Sequence, residues 1–364
     1  MNERRIIALL GRRDEPTDAV EEYCRYLGGA LSGRGFVVEL ARVAWAERGW
    51  RVALRELRQR AREWRGQWVL VHYTALAWSA RGFPLRFTRV LRELRDAGAR
   101  IAIVYHDVEP YSGARAIDKM RRRAQLRVMQ QVLKGADLGV FTVPLDVISW
   151  LARTPPNAVF IPVGANLPIV APAAKREKRA PGLLSVAIFG ITEGATGRGE
   201  CERIVDAARF AATHGARLRL HAFGRGAGEF ESSLRDALRD VPVEVRVEGI
   251  LPAEQVVDAL SSSDVALFVR APISSRRGSA LAAIACGLPV IAYAGAETAP
   301  PITEAGVLLV SREKEAELAE ALLRVLSDAD LRASLSERSS RAYREHFAWE
   351  AIAGRYVDVL SKQF

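Results

Sequence analysis

An α/β fold of two doubly wound, parallel-sheet domains is predicted by three observations. Short apolar runs alternate with amphipathic helical segments along the whole chain. Its 364 residues suit two domains of common size better than one. A stretch rich in Pro, Ala and charge, Pro162–Gly182, divides the chain near its middle and reads as a linker.

Composition narrows the function classes. Hydrophobic residues make up 49%, enough for full cores and incompatible with disorder. No apolar run approaches the ~18 residues that span a bilayer. The start, MNERRIIALLGRR, is too short in apolar residues for a signal peptide. The cysteines Cys24, Cys201 and Cys286 are scattered, which fits a reducing cytoplasm and gives no metal spacing. A net charge of +10 asks for anionic partners. Nucleic acid is disfavoured, because neither stacking platforms nor a known module is present.

In the first half, strands are expected at Ile6–Leu10, Phe36–Leu40, Trp68–Tyr73, Ile101–Tyr105, Leu138–Thr142 and Val159–Ile161. The loop GRRDEPTD, with Asp14, follows the first. A helix opens near Asp18, just after Pro16, and Asp18 with Glu21 reads as a cap and its box partner. Val20, Tyr23, Leu27 and Leu31 give it a helical stripe. Further helices are expected over Glu47–Trp64, Leu85–Ala97, Arg115–Lys134 and Leu145–Leu151. The third strand runs into YTALAWSARGFP, whose Tyr73 and Trp78 stand at a sheet's carboxyl edge. The fourth ends in His106-Asp107, followed by Tyr111; ligands of open α/β sheets bind at such edges. From the residues alone, a structural pair and a functional pair are equally good readings of His106 and Asp107. Arg115, Lys119, Arg123 and Arg127 form a basic stripe, with Met120, Ala124, Val128 and Val132 on another side.

The second half repeats the alternation, with strands at Leu184–Phe189, Leu218–Phe223, Val243–Val247, Val265–Phe268, Val290–Tyr293 and Val307–Val310. Its most informative stretch is Asp264–Tyr293. Two buried strands flank a basic loop, Arg270–Gly278, and a small-residue helix, Ser279–Cys286. Arg270, Arg276 and Arg277 stand just ahead of Gly278 and Ser279, where backbone N–H groups at a helix start suit a phosphate. Ser274, Ser275 and Ser279 add hydroxyls, and Ala280, Ala282 and Ala283 allow close approach. An ordinary loop with solvated arginines is the competing reading.

The motif ACGLPVIA (Ala285–Ala292), His106-Asp107 after the fourth strand and an aromatic C-terminal helix, Phe347–Leu360, resemble the large nucleotide-sugar-dependent glycosyltransferase family of GT-B fold. The resemblance implies a GT-B pair of Rossmann-like domains. These would be residues 1–165 on the acceptor side, a linker over 166–182, residues 183–346 binding the nucleotide sugar, and a helix over 347–364 returning to the first domain. It implies a donor-contacting His106 with Asp107, and a segment near the nucleotide at Glu304. The chain also departs from the family. Ser274 and Ala282 replace the two carboxylates that hold donor sugar and ribose. Asp18 and Ala19 replace a Gly-Gly pair, Ile191 a diphosphate arginine, and Arg225 the acid of a Gly-Asp-Gly turn. Arg198, in a Gly-rich loop, and Arg225 with Arg276 and Arg277 are therefore expected to rebuild the anion pocket.

The function this implies is transfer of a sugar from a nucleotide-diphosphate sugar to an acceptor hydroxyl, without cofactor or metal. Retention and inversion both stay open, since His106 or Asp107 could serve as general base. Two alternatives are a non-catalytic GT-B-like subunit and a nucleotide-sugar epimerase. The acceptor side is expected at Asp14, Tyr73, Trp78 and Tyr111. A cytoplasmic location is expected, with peripheral contact to the inner face of the membrane suggested by Trp45, Trp50, Trp64, Trp68 and Trp78 beside Arg51, Arg55, Arg58, Arg62 and the Arg115–Arg127 stripe. A lipid-linked acceptor would match that surface.

Overall fold

The computed structural model describes residues 4–15, 18–151, 153–169 and 182–361. Pro16 and most of the expected linker lie outside these residues. The chain divides into two compact units, Met1–Val163 with Trp349–Phe364, and Gly164–Ala348.

Unit 1 runs β1 (Arg4–Leu10), α1 (Ala19–Ser32), β2 (Phe36–Arg42), α2 (Trp45–Ala61), β3 (Trp68–Tyr73), α3 (Phe87–Asp96), β4 (Arg100–Tyr105), α4 (Ala116–Gly135), β5 (Leu138–Phe141) and β6 (Ala158–Phe160). The strands form one six-stranded sheet in the order β2-β1-β3-β4-β5-β6. Every neighbouring pair is parallel. Strands β3 and β4 are almost wholly buried, the signature of a sheet covered on both faces. The order reverses between β1 and β3, so the loops after these two strands flank a topological switch point.

Several local features differ from the sequence expectation. Asp18 caps α1 by accepting from Val20 N–H and Glu21 N–H, but Glu21 does not complete a box. Its carboxylate turns instead to Arg42 and Arg25. A chain break in helical geometry at Gly49, with φ +73°, kinks α2. The expected helix over Leu145–Leu151 shrinks to one 3-10 turn, Leu145–Val147. The next residues are claimed by the loop after β4: Ser149 N–H donates to Glu109, and Trp150 Nε1 donates to the Val108 carbonyl.

The C-terminal helix α11 (Trp349–Ser361) lies in unit 1 and packs on α1. Its buried stripe is Trp349, Ile352, Ala353, Tyr356 and Leu360. Trp349 meets the Tyr23 ring edge-on at 5.0 Å and stacks on Tyr26 at 5.8 Å. The Tyr356 and Tyr23 hydroxyls pair at 2.9 Å. Each large side chain buried in this way contributes about 1.5–3 kcal/mol.

Unit 2 runs β7 (Leu183–Phe189), α5 (Gly194–Thr213), β8 (Arg217–Phe223), α6 (Glu231–Leu238), β9 (Val243–Val247), α7 (Ala253–Ser261), β10 (Val265–Phe268), α8 (Gly278–Ala285), β11 (Val290–Tyr293), β12 (Val307–Val310), α9 (Glu315–Ser327) and α10 (Ala329–Ala342). Its strands form a second parallel six-stranded sheet, ordered β12-β11-β10-β7-β8-β9. The switch point falls between β7 and β10, directly below the Arg-rich loop.

Candidate active site

In unit 1 the loops after β1, β3 and β4 enclose a cavity of about 260 Å³. Its lining includes Arg12, Arg13, Asp14, Asp18, Arg42, His72, Thr74 and Asp107. The floor is tight: Arg12 N–H donates to the Ala77 carbonyl at 2.8 Å, and a Cβ on Gly11 would lie 2.3 Å from that oxygen. Arg42 is fixed by three acceptors, the Gly11 carbonyl at 2.7 Å, Asp18 at 3.1 Å and Glu21 at 2.7 Å. Where the family has Gly-Gly, this chain therefore has a capping carboxylate tied to a guanidinium.

Asp107 lines the cavity and accepts the Ala75 N–H at 2.7 Å, which ties the β4 loop to the β3 loop. His106 sits beside it, half-buried. Its Nε2 meets Nδ1 of His72 at 2.9 Å, and its ring meets Tyr23 edge-on at 5.1 Å. His72 is 2% exposed, and its Nε2 lies 3.2 Å from the Cys24 thiol. Burial, then the neighbouring His106, holds the His72 imidazole well below its ordinary pKa, so it is neutral. A neutral imidazole has one N–H and one lone pair, and both ring nitrogens of His72 are engaged. Burial pushes the Cys24 thiol far up, so it is no nucleophile. In the sequence His72 is a lone histidine amid the apolar residues of the strand WVLVHY, which is the one signal it offers.

The other acceptor-side expectations divide. Asp14 is exposed and lines the cavity. Tyr73 and Trp78 do not reach it: they are 0% and 1% exposed and pack with Phe87 in the core. Trp78 Nε1 spends its proton on the His72 carbonyl. Large aromatic rings at the end of a covered strand gain more from burial than from display. Tyr111 is 48% exposed, outside the cavity lining, with the Arg121 guanidinium 5.0 Å above its ring.

In unit 2 the loops after β7, β8 and β10 converge at the carboxyl edge. Gly190 N–H donates to the Phe223 carbonyl at 2.7 Å, and Ile191 N–H to the Arg225 carbonyl at 3.1 Å. Gly190 has φ +83°, and a Cβ there would lie 3.1 Å from an Arg270 guanidinium nitrogen. Arg270 thus lies across the β7 loop at the switch point. The buried carboxylate of Glu200 accepts both Thr192 N–H and Thr192 Oγ1–H, fixing that loop from inside.

Arg198 is not in a loop: α5 begins at Gly194, and Arg198 is exposed on that helix. Arg225 is also exposed. Ile191 is 1% exposed and belongs to the core, so nothing at this position replaces the family's arginine. Ser274 and Ser275 are 0% and 1% exposed, inside the loop rather than on its surface. Gly278 opens α8 with nothing within 4 Å of where its Cβ would be, and Ser279 follows in the first turn.

Arg276 and Arg277 differ. Arg276 forks onto Glu297 through Nε at 2.7 Å and a terminal nitrogen at 2.8 Å. Arg277 is the N-cap residue of α8 and is half-buried. Burial works to raise the Glu297 carboxyl, but Arg276, Arg277 and Ser274 outweigh it, so it stays below its ordinary pKa and ionised. Arg276 is therefore a strut for the loop after β11, and Glu297, missed in the sequence, is its partner. Glu304 corrects another expectation. It lies three residues ahead of β12, and Gly306 beside it accepts from Val290 at the start of β11. That is the amino edge of the sheet, opposite the converging loops.

The comparisons agree with this architecture. Residues 200–328 match the family model for "Glycosyl transferases group 1". Over 147 residues the chain is 27% identical to a GDP-mannose-dependent monoacylated alpha-(1-6)-phosphatidylinositol monomannoside mannosyltransferase of Corynebacterium glutamicum, covering 38% of each chain. The match thus spans well under half of that relative's length. Among solved structures, Anabaena Alr3699/HepE in complex with UDP and glucose aligns with a TM-score of 0.65 at 14% identity, covering 99% of this chain and 100% of its own. A glycosyltransferase from Rickettsia africae aligns with a TM-score of 0.67 at 11% identity, covering 100% of this chain and 99% of its own. The fold is GT-B, two α/β units each built on a parallel sheet. The part of the chain that matches the group 1 model, residues 200–328, lies within the second unit.

Proposed function

We propose that this protein transfers a sugar from a nucleotide-diphosphate sugar to an acceptor hydroxyl. The observation that carries the reading is the group 1 match over residues 200–328, which contains the β10–α8–β11 segment. The N–H groups of Gly278, Ser279 and Ala280 precede the first in-helix bond of α8, that of Leu281 to the Arg277 carbonyl; space is open at Gly278, and Arg270 lies by Gly190 on the neighbouring β7 loop. Such a helix start stabilises the diphosphate as charge develops on it, and it does so without a metal.

In this reading Arg277, Arg270, Gly278 and Ser279 meet the diphosphate, and Arg276 and Glu297 hold the loop. Asp107 and His106 act in the first unit's cavity, with His72 orienting the His106 ring. Asp107 lines the cavity and His106 does not, so Asp107 is the better general-base candidate of the two. A donor panel tests the reading: release of nucleoside diphosphate from one UDP- or GDP-sugar supports it, and release from none refutes it.

The acceptor is proposed to lie at a membrane surface, with the protein cytoplasmic and peripheral. The tryptophans do not support this, since Trp45, Trp64, Trp68 and Trp78 are buried. Helix α4 does. Ile117 is 44% and Met120 59% exposed, beside exposed Arg115, Lys119, Arg122 and Arg123. Apolar tips among cations are what an anionic headgroup layer favours. No described helix is long and apolar enough to cross a membrane.

A further inference from the structure

We propose that unit 2 carries a second anion site, which takes the phosphate of a small, hydroxyl-bearing phosphate ester. The proposal does not rest on sugar transfer and concerns residues outside the loops discussed above. A cavity of about 350 Å³ lies among α5, α9 and the carboxyl ends of β11 and β12. Its polar lining is Arg203, Arg312, Lys314 and Tyr293, with Glu202 and Asp206 on the α5 side. Its volume is in the range of small-molecule pockets, and it opens at the strand edge where α/β sheets bind ligands.

The cations are what distinguish it. Several surface guanidiniums of the chain are committed to carboxylates, Arg58 to Glu93, Arg209 to Asp240, Arg235 to Glu231 and Arg276 to Glu297, while others, such as Arg122 and Arg123, are simply exposed to solvent. Arg203, Arg312 and Lys314 make no ion pair and no side-chain hydrogen bond with any described residue. Arg203 Nε is shielded from solvent and still lacks a partner. A buried donor left unmade in this way is costly, so the group is expected to have an acceptor in the working protein. The default acceptors stand close by and are not used: Glu202 precedes Arg203, and Asp206 follows it by three positions on the same helix.

Tyr293 adds a second observation. It ends β11 and is 3% exposed. Burial raises its phenol, while Arg203 and Arg312 pull it down, so both guanidiniums bear on the same hydroxyl. Two guanidiniums, an ammonium and a phenol around one cavity suit the three oxygens of a phosphate. The two carboxylates would repel a bare polyanion. They accept hydrogen bonds from hydroxyl groups, which is why the fit is a phosphate ester carrying hydroxyls.

Calorimetry on the full chain with glycerol 2-phosphate as probe tests this. The parent protein is expected to bind it, and Arg312→Ala with Lys314→Ala to weaken binding at least about tenfold. Arg203→Gln should do the same; should that variant fail to fold, the exposed Arg312 and Lys314 pair decides alone. Arg277→Ala, which touches only the proposed donor loop, should leave this binding unchanged. The proposal is overturned by no binding at about 10 mM probe, by equal affinity in the Arg312 and Lys314 double variant, or by loss in Arg277→Ala instead.

Discussion

Arg276 and Arg277 are adjacent in sequence, yet the fold gives them different work. Arg276 is held by Glu297, while Arg277 stands at the N-cap position of α8. Arg277→Ala is expected to raise the dissociation constant of a nucleoside diphosphate at least about tenfold, because a charge-assisted bond contributes about 1.5–3 kcal/mol. Arg276→Ala should act on stability instead, taking from the partly buried Glu297 carboxylate its forked partner and leaving only Arg277 and Ser274 near it, at a cost of about 1–3 kcal/mol by urea titration. If both variants lost affinity equally and neither lost stability, the strut role would be wrong. Residue roles of this kind are hard to read in a sequence, since SSRRGS shows the cations but not which one a distant acid has claimed. The same holds for Tyr73 and Trp78, which look like a rim and are core. His72 makes a pH prediction. Its folded-state pKa is depressed, so below its ordinary value near 6.5 the unfolded chain binds the proton and the native state does not. Stability should therefore fall as pH drops from about 7 to 5, by up to about 1.4 kcal/mol per pH unit for this one group. His221, depressed chiefly by burial against the pull of Glu248, adds in the same direction. A stability profile that is flat over this range would contradict a neutral buried His72.

At the scale of elements, α11 was readable because Trp349, Ile352, Tyr356 and Leu360 recur at helical spacing, and the structure buries all four. Trp349→Ala should cost about 3–5 kcal/mol. Tyr356→Phe, which removes one hydroxyl from the Tyr23 pair, should cost about 1 kcal/mol. Thermal or urea melts that move by the same small amount for both would mean that α11 is only loosely docked. All twelve strands were legible as apolar runs, and the structure places six in each sheet. Helix limits were less so. Leu145–Leu151 has helical composition, but Glu109 and the Val108 carbonyl capture Ser149 and Trp150 across a long sequence separation. Periodicity cannot register such competition. Helix α4 shows the converse: its stripe of Arg115, Lys119, Arg123 and Arg127 is exposed as the spacing implies, but Met120, assigned to the apolar side, is exposed too. Only placement against α3 and the β4 loop separates Met120 from Val128, which is buried.

For the whole molecule, two parallel sheets with reversed order at β1/β3 and β7/β10 set where ligands can sit, and both switch points carry the polar loops. The surface on α4 predicts reversible docking: sedimentation with anionic vesicles at low salt, loss at high salt, and weakening by Ile117→Ser with Met120→Ser. Equal sedimentation with neutral vesicles, or none with anionic ones, would leave α4 as a plain solvated face. The central claim, that this GT-B protein consumes a nucleotide-diphosphate sugar through the α8 loop despite Ser274 and Ala282 at the family's carboxylate positions, has one direct test. The purified protein is incubated with a panel of UDP- and GDP-sugars, and free nucleoside diphosphate is quantified with and without Arg277→Ala and Asp107→Asn. The account predicts diphosphate release from at least one donor, lost in both variants while their melting temperatures stay near that of the parent. Binding of a nucleotide sugar with no release from any donor, in the presence of lipid and polysaccharide acceptors, would contradict it.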